Sequence, residues 1–145
     1  MFLGEFEHSL DSKGRLAIPA RFRALLGEGA VLTRNFDDCL VIYPPDVWKS
    51  VAERLDALST TQEAARMAKR FVFSGAMECE FDKQGRVVVP SFLRSYAHLE
   101  ETAMVVGQYS RIEIWDRSKW RDISQRAESE SNLIAEQLAT LGLDI

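Results

Sequence analysis

Cysteine, histidine and proline are scarce in this chain of 145 residues, which has two, two and four of them. Cys39 and Cys79 stand far apart in apolar, strand-like surroundings without CxxC spacing, which argues against a disulfide framework and predicts buried, reduced thiols. His8 and His98 have no Cys or His neighbour at ligand spacing, so no metal is expected. No glycine-rich phosphate loop occurs, and neither cofactor nor small-molecule substrate is expected. Long apolar runs are missing too. Ala103 to Val106 is far too short to span a bilayer, and the N-terminus lacks a basic, apolar, small-residue signal pattern. No membrane partner is therefore expected, and a cytoplasmic location is. A nucleophile with its base is also absent, because in a strand His8 points away from Ser9 and these two form no relay with Asp11. The chain is not expected to be an enzyme.

What is present is ordinary globular material, 46% hydrophobic and 28% charged, and enough chain for a sizeable core if two halves share it. A net charge of −4 argues at first sight against a nucleic-acid partner. The distribution matters more. Between Asp11 and Arg23 the basic residues Lys13, Arg15, Arg21 and Arg23 face one acidic residue, Asp11, whereas the stretch from Arg126 onward carries Glu128, Glu130, Glu136 and Asp144. A dipolar molecule with one basic binding face has this pattern.

The dominant feature is a repeat. Asp11-Ser12-Lys13-Gly14-Arg15 returns 71 positions later as Asp82-Lys83-Gln84-Gly85-Arg86. Phe6-Glu7-His8-Ser9-Leu10 precedes the first copy and Met77-Glu78-Cys79-Glu80-Phe81 the second; Leu16-Ala17-Ile18-Pro19 and Val87-Val88-Val89-Pro90 follow them. Both copies read as strand, tight turn, strand, then a proline that stops the strand. Asp11 and Asp82 suit the start of such a turn by accepting a backbone hydrogen bond, and Gly14 and Gly85 suit the position that needs positive φ. These four residues shape the loop. A turn has no evident use for a guanidinium just after its glycine, so Arg15 and Arg86 read as charges displayed at two hairpin tips, with Lys13 and Lys83 beside them. Phe6, His8 and Leu10 share the inner strand face, which makes His8 a core or rim residue.

Past each hairpin the halves stay parallel. Short helices after Pro19 and Pro90 carry Arg21, Arg23 and Arg94, read as solvated side chains, and Gly27 ends the first of them. Strands are predicted at 30–34 and 39–43, then at 103–108 and 111–115, where one extra residue moves the offset to 72. Pro44-Pro45-Asp46 opens a helix with Trp48, Val51, Ala52, Leu55 and Leu58 on one face. Thr60 and Glu63 suggest a capping box for the next, whose stripe is Ala64, Met67, Ala68 and Phe71 and whose stop is Gly75. Asp116 should cap a C-terminal helix with a stripe from Trp120 to Leu141, interrupted at Glu130 and Ser131. That stripe needs a partner, the linker helices for part of it and a neighbouring subunit for the rest. The expected division is a first repeat with its helix at 5–58, a helical linker at 59–75, and a second repeat with the C-terminal helix at 76–145. A half of about 50 residues would be marginal alone, so the two should pack with pseudo-twofold symmetry.

Leu10 to Leu16 and Phe81 to Val87, with Val106-Gly107-Gln108-Tyr109 leading to Ile114-Trp115-Asp116, resemble the MraZ family of bacterial regulators associated with the division and cell wall gene cluster. The likeness weakens only after about Arg126. It implies an α+β, mainly β fold of two tandem AbrB-like swapped-hairpin repeats, with short linker helices and a C-terminal helix. It further implies a nucleoid-associated transcription factor that forms a ring-shaped homo-oligomer and binds double-stranded DNA at short direct repeats in the promoter region of its own operon. Arg15 and Arg86 then become the DNA contacts and Lys13 and Lys83 their support. The first hairpin lies in the more basic segment, so Arg15 is expected to matter more than Arg86. Two other readings stand beside this one: a ring-forming protein scaffold without specific DNA binding, and an antitoxin-like role, which suits single-repeat relatives better.

Overall fold

The computed structural model describes residues 1–145. Its elements are, in chain order, β1 (Glu5–Ser9), β2 (Arg15–Ala17), α1 (Ala20–Leu26), β3 (Val31–Asn35), β4 (Cys39–Tyr43), α2 (Pro45–Asp56), α3 (Glu63–Gly75), β5 (Met77–Glu78), β6 (Arg86–Val88), α4 (Ser91–Tyr96), β7 (Thr102–Gly107), β8 (Ile112–Asp116), α5 (Arg117–Ser129) and α6 (Ser131–Thr140). The fold is α+β, with every strand pair antiparallel.

Six strands form one sheet in the order β1-β7-β8-β4-β3-β5, and β2 pairs with β6 as a separate two-stranded ribbon. Exchange each strand for its counterpart in the other repeat and both orders read the same. The pseudo-twofold axis therefore passes between β4 and β8 and between β2 and β6. This arrangement corrects the plain strand–turn–strand reading of each repeat. Within a repeat the two arms are joined by a single β-bridge each, Leu10 to Leu16 and Phe81 to Val87. The arms pair instead with the other repeat: β1 with β7, β5 with β3, and β2 with β6. Each hairpin thereby inserts one arm into the large sheet and one into the ribbon above it, and the apolar sides of both arms meet the same core from opposite layers.

That core contains Leu16, Ile18, Val87 and Val89 from the ribbon segments, Phe22 and Leu93 from the short helices, and Leu32, Leu40, Ile42, Ile112 and Ile114 from the sheet. Phe22 lies near its middle, edge-on to Phe2 and Phe6 at ring separations of 5.4 and 5.3 Å. The opposite face of the sheet is covered as well, which explains why all five residues of β4 are buried without alternation. There Tyr43 meets Trp48 of α2, Trp115 meets Trp120 of α5, and the buried Thr33 hydroxyl donates to the Val72 carbonyl of α3 at 2.6 Å.

The local signals fared unevenly. Gly27 ends α1 with φ of 65°, and Asp116 caps α5 by accepting from the Lys119 N–H at 3.1 Å. The chain breaks at Glu130 between α5 and α6, as the interrupted stripe predicts. The capping box does not form. Gln62 occupies the cap position without a side-chain bond, while the Thr60 carbonyl accepts from Arg66 Nη1 and the Ser59 and Thr61 hydroxyls bond to each other. The buried side of α3 is also rotated from the predicted stripe. Val72 and Gly75 are buried, whereas Ala64 and Met67 are exposed. Gly75 is the last residue of α3, where the stop was expected, and because a Cβ there would come within 2.9 Å of Arg34 Nε it also allows close approach to β3. Past Trp120, the stripe of α5 and α6 stays largely exposed.

Leu16 is fully buried and faces the core beside its ribbon neighbour Val87. Leu16→Ala should cost about 2–5 kcal/mol of unfolding free energy in urea titration; a loss well under 1 kcal/mol would mean that the ribbon is not part of the cooperative core.

Candidate nucleic-acid interface

The two Asp-to-Arg loops have the same internal geometry. In the first, the Asp11 N–H donates to the Arg15 carbonyl at 3.1 Å and the Gly14 N–H to the Asp11 carbonyl at 3.0 Å. Asp11 Oδ1 accepts from the Lys13 and Arg15 N–H groups at 3.0 and 2.8 Å. In the second, Asp82 Oδ1 accepts from Gln84 and Arg86 at 2.9 Å each, and Asp82 and Gly85 repeat the backbone pattern. In both copies the carboxylate bonds the loop backbone, and Gly14 and Gly85 have φ of 80° and 75°.

The arginines are more tightly tied than the sequence suggests. Arg15 Nε donates to Asp11 Oδ2 at 2.6 Å and Arg86 Nε to Asp82 Oδ2 at 2.8 Å. The turn does use its guanidinium, which corrects the reading above. The single carboxylate holds the backbone with one oxygen and aims the arginine with the other. Only Nε is consumed in Arg15, whose terminal nitrogens make no hydrogen bond. Arg86 is shared: its Nη1 also lies 3.7 Å from Asp11 Oδ2.

Ribbon register brings the loops together. Arg15 lies opposite Val88 and Ala17 opposite Arg86, so both arginines occupy one outward face, diagonally across the Ala17 and Val88 positions, while Leu16 and Val87 point into the core. Lys13 and Lys83 are exposed in the loops and take part in no ion pair. Val88, half exposed at the centre of this face, was missed from sequence, although its alternation with buried Val87 and Val89 would have placed it outward.

Each loop is also clasped by the other repeat. The Val89 N–H donates to the Gly14 carbonyl at 2.7 Å, and the Ile18 N–H to the Gly85 carbonyl at 3.2 Å. Arg94 lies against Gly14 and Arg23 against Gly85, so closely that an added Cβ would strike the Val89 carbonyl at the first site and the Arg23 guanidinium at the second. Arg23 is held there by donating from Nε to the Ile18 carbonyl at 3.1 Å. Both arginines are half buried, and the solvated reading of them is corrected. Their matching positions, 71 residues apart, were the available signal. Arg21 does stay exposed, over the Phe6 ring.

No other constellation competes. Cys39 and Cys79 are free and buried, and burial pushes both thiols up to about 12, far from a reactive thiolate. His8 is half buried at the rim of the core. No three His, Cys, Asp or Glu side chains are grouped as metal ligands, and no helix is long and apolar enough to cross a membrane.

The fold and site define a tandem-repeat protein that displays paired arginines on a β-ribbon. Residues 1–71 and 72–142 each match the family described as "MraZ protein, putative antitoxin-like". A protein from Desulfitobacterium hafniense strain Y51 named transcriptional regulator MraZ is 51% identical over 143 residues, covering 99% of this chain and all of that protein. Proteins of the same name from Natranaerobius thermophilus and Herpetosiphon aurantiacus are 49% and 48% identical, covering 95% and 99% of this chain and 96% and 100% of their own lengths. The chain belongs to the MraZ family.

Hydrogen bonds from the Arg15 and Arg86 N–H groups hold the Asp11 and Asp82 carboxyls below the ordinary value of 3.8. A lowered folded value contributes stability above the unfolded value and loses it as the pH falls through the folded one. Acid unfolding followed by tryptophan fluorescence should therefore show stability falling below pH 3.8, with a flatter profile for Asp11→Asn/Asp82→Asn. An unchanged acid slope in the double variant would show that the loop carboxylates do not carry this term.

Proposed function

We propose that the chain is a DNA-binding transcriptional regulator whose outward ribbon face docks on double-stranded DNA, with Arg15 and Arg86 as contacts and Lys13 and Lys83 as supporting phosphate partners. The observation that carries this reading is the placement of both loop arginines on one ribbon face, each aimed by its own aspartate. A two-stranded ribbon fits the major groove, and a guanidinium whose Nε is fixed presents its terminal N–H groups to a phosphate or to guanine O6 and N7. Fixing the side chain beforehand removes about 0.5–1.5 kcal/mol of ordering cost per arginine. The net charge of −4 disfavours docking through the rest of the surface.

One ribbon makes few contacts, so tight binding rests on several copies engaging spaced sites at once. A ring-shaped homo-oligomer on short direct repeats, in the promoter region of the operon that contains its gene, meets that need. The two repeats, 5–58 and 76–145 about a linker at 59–75, are taken as one functional unit of this ring, working in the cytoplasm on the nucleoid. Arg15 is the stronger contact, because Arg86 is shared between two carboxylates while Arg15 answers to one. A scaffold that only assembles is the second reading, favoured by the exposed apolar stripe of α5 and α6.

Fluorescence anisotropy on DNA from upstream of the gene tests this directly. Wild type should bind with strong salt dependence, Arg15→Ala should weaken binding about tenfold or more, Arg86→Ala somewhat less, and the double change should abolish it. The slope of log affinity against log salt should flatten by about one for each phosphate that a variant no longer neutralises. Equal losses from the two single changes would refute the asymmetry. A double variant that binds like wild type would favour the scaffold.

A further inference from the structure

Away from the ribbon, a groove of about 390 Å³ opens between α2 and the β3–β4 turn. Its walls include Phe36, Leu55 and Leu58, with Phe36 61% and Leu58 47% exposed, and its rim carries Arg34, Arg54 and Arg111. None of these arginines pairs with a carboxylate. Arg34 donates to the Phe71 carbonyl and the Ser74 hydroxyl, Arg54 to the Ser50 carbonyl, and Arg111 lies over the Tyr43 ring. Glu113 accepts instead from Asn35 and from the Trp115 indole. An apolar trough ringed by three unpaired guanidinium groups suits a segment that is apolar on one side and acidic on the other.

The chain itself contains such a segment. After Arg126 it has no Lys or Arg, and it carries Glu128, Glu136 and Asp144, none of them in an ion pair, among Leu133, Ile134, Leu141 and Leu143. Those four apolar residues are exposed by 36 to 80%. Burying them would stabilise an assembly by about 25 cal/mol for each Å² removed from water.

We propose that α6 and the residues after it from one copy dock into the α2 groove of a second copy. Leu133, Ile134, Leu141 and Leu143 fill the trough against Phe36, Leu55 and Leu58, and Glu136 and Asp144 meet the rim arginines. The inference rests on the self-assembly read above and gives it a geometry. The donating surface differs from the accepting one, so the contact is head-to-tail, and head-to-tail contacts close into rings when the rotation permits. Both surfaces are separate from the ribbon, which leaves the loop arginines free.

Two exposed variants separate the possibilities: Arg54→Glu/Leu58→Glu in the groove and Ile134→Asp/Leu141→Asp in the tail, with near-UV circular dichroism checking the fold. Masses are read by light scattering after size exclusion. Wild type should be a closed oligomer, each variant alone a monomer, and an equal mixture a heterodimer, since one variant keeps a working tail and the other a working groove. Variants that keep the wild-type mass would overturn the groove contact and leave the assembly reading standing. Monomeric variants whose mixture stays monomeric would overturn it too, by showing that tail and groove do not meet between copies. A monomeric wild type would overturn both readings. Should a double variant lose its near-UV signal, Arg54→Glu and Leu141→Asp replace the pairs in the same scheme.

Discussion

Each arginine loop is held in place by the repeat it does not belong to, and the rest of the molecule depends on that exchange. The Gly14 carbonyl accepts from Val89 and the Gly85 carbonyl from Ile18, while the arms that lead into each loop end in the sheet and ribbon of the opposite half. If the halves parted, each loop would lose the one backbone bond that ties its glycine to the other repeat. The same exchange places Leu16 and Val87 side by side over the common core and leaves Arg15 and Arg86 on the face above them. Core packing and site construction are thus one arrangement, seen from below and from above.

The electrostatics follow from the same loops. An unpaired carboxylate on the ribbon face would repel an anionic partner, but Asp11 and Asp82 spend both oxygens on the loop, one on backbone N–H groups and one on the arginine. Their negative charge is locally balanced, and the terminal guanidinium nitrogens of Arg15 are left without a hydrogen-bond partner. Exposed pairs of this kind contribute little to stability. Here they fix direction, which matters more for recognition than for folding. From Ala127 onward the chain carries Glu128, Glu130, Glu136 and Asp144 and no Lys or Arg, which is the charge proposed above to meet the arginine-rimmed groove.

Much of this was legible in the sequence because a repeat was present. One Asp-to-Arg stretch is common; two of them 71 residues apart with matching flanks fix the turn chemistry, the short helices and the pseudosymmetry. Even the change of offset has a visible cause, since three residues link β3 to β4 and four link β7 to β8. What stayed hidden was which arm pairs with which. Strand alternation reports a buried face but not the strand beside it, so the exchange was suggested by family resemblance and not by periodicity. Arg23 and Arg94 were hidden for the same reason: their partners, Gly85 and Gly14, lie in the other repeat and become neighbours only once the arms cross. The stripe of α3 was misplaced because helical spacing cannot tell which side of a short helix the sheet will accept. The close contact at Gly75 settles that side.

The central claim is that two loops from two repeats act as one DNA-binding surface. Hydrogen exchange read by mass spectrometry on the full-length protein, with and without the upstream duplex, tests it most directly. The account predicts that segments 11–15 and 82–86 slow together on adding DNA while the α2 groove is unchanged. Protection of one loop alone, or of neither, would contradict it.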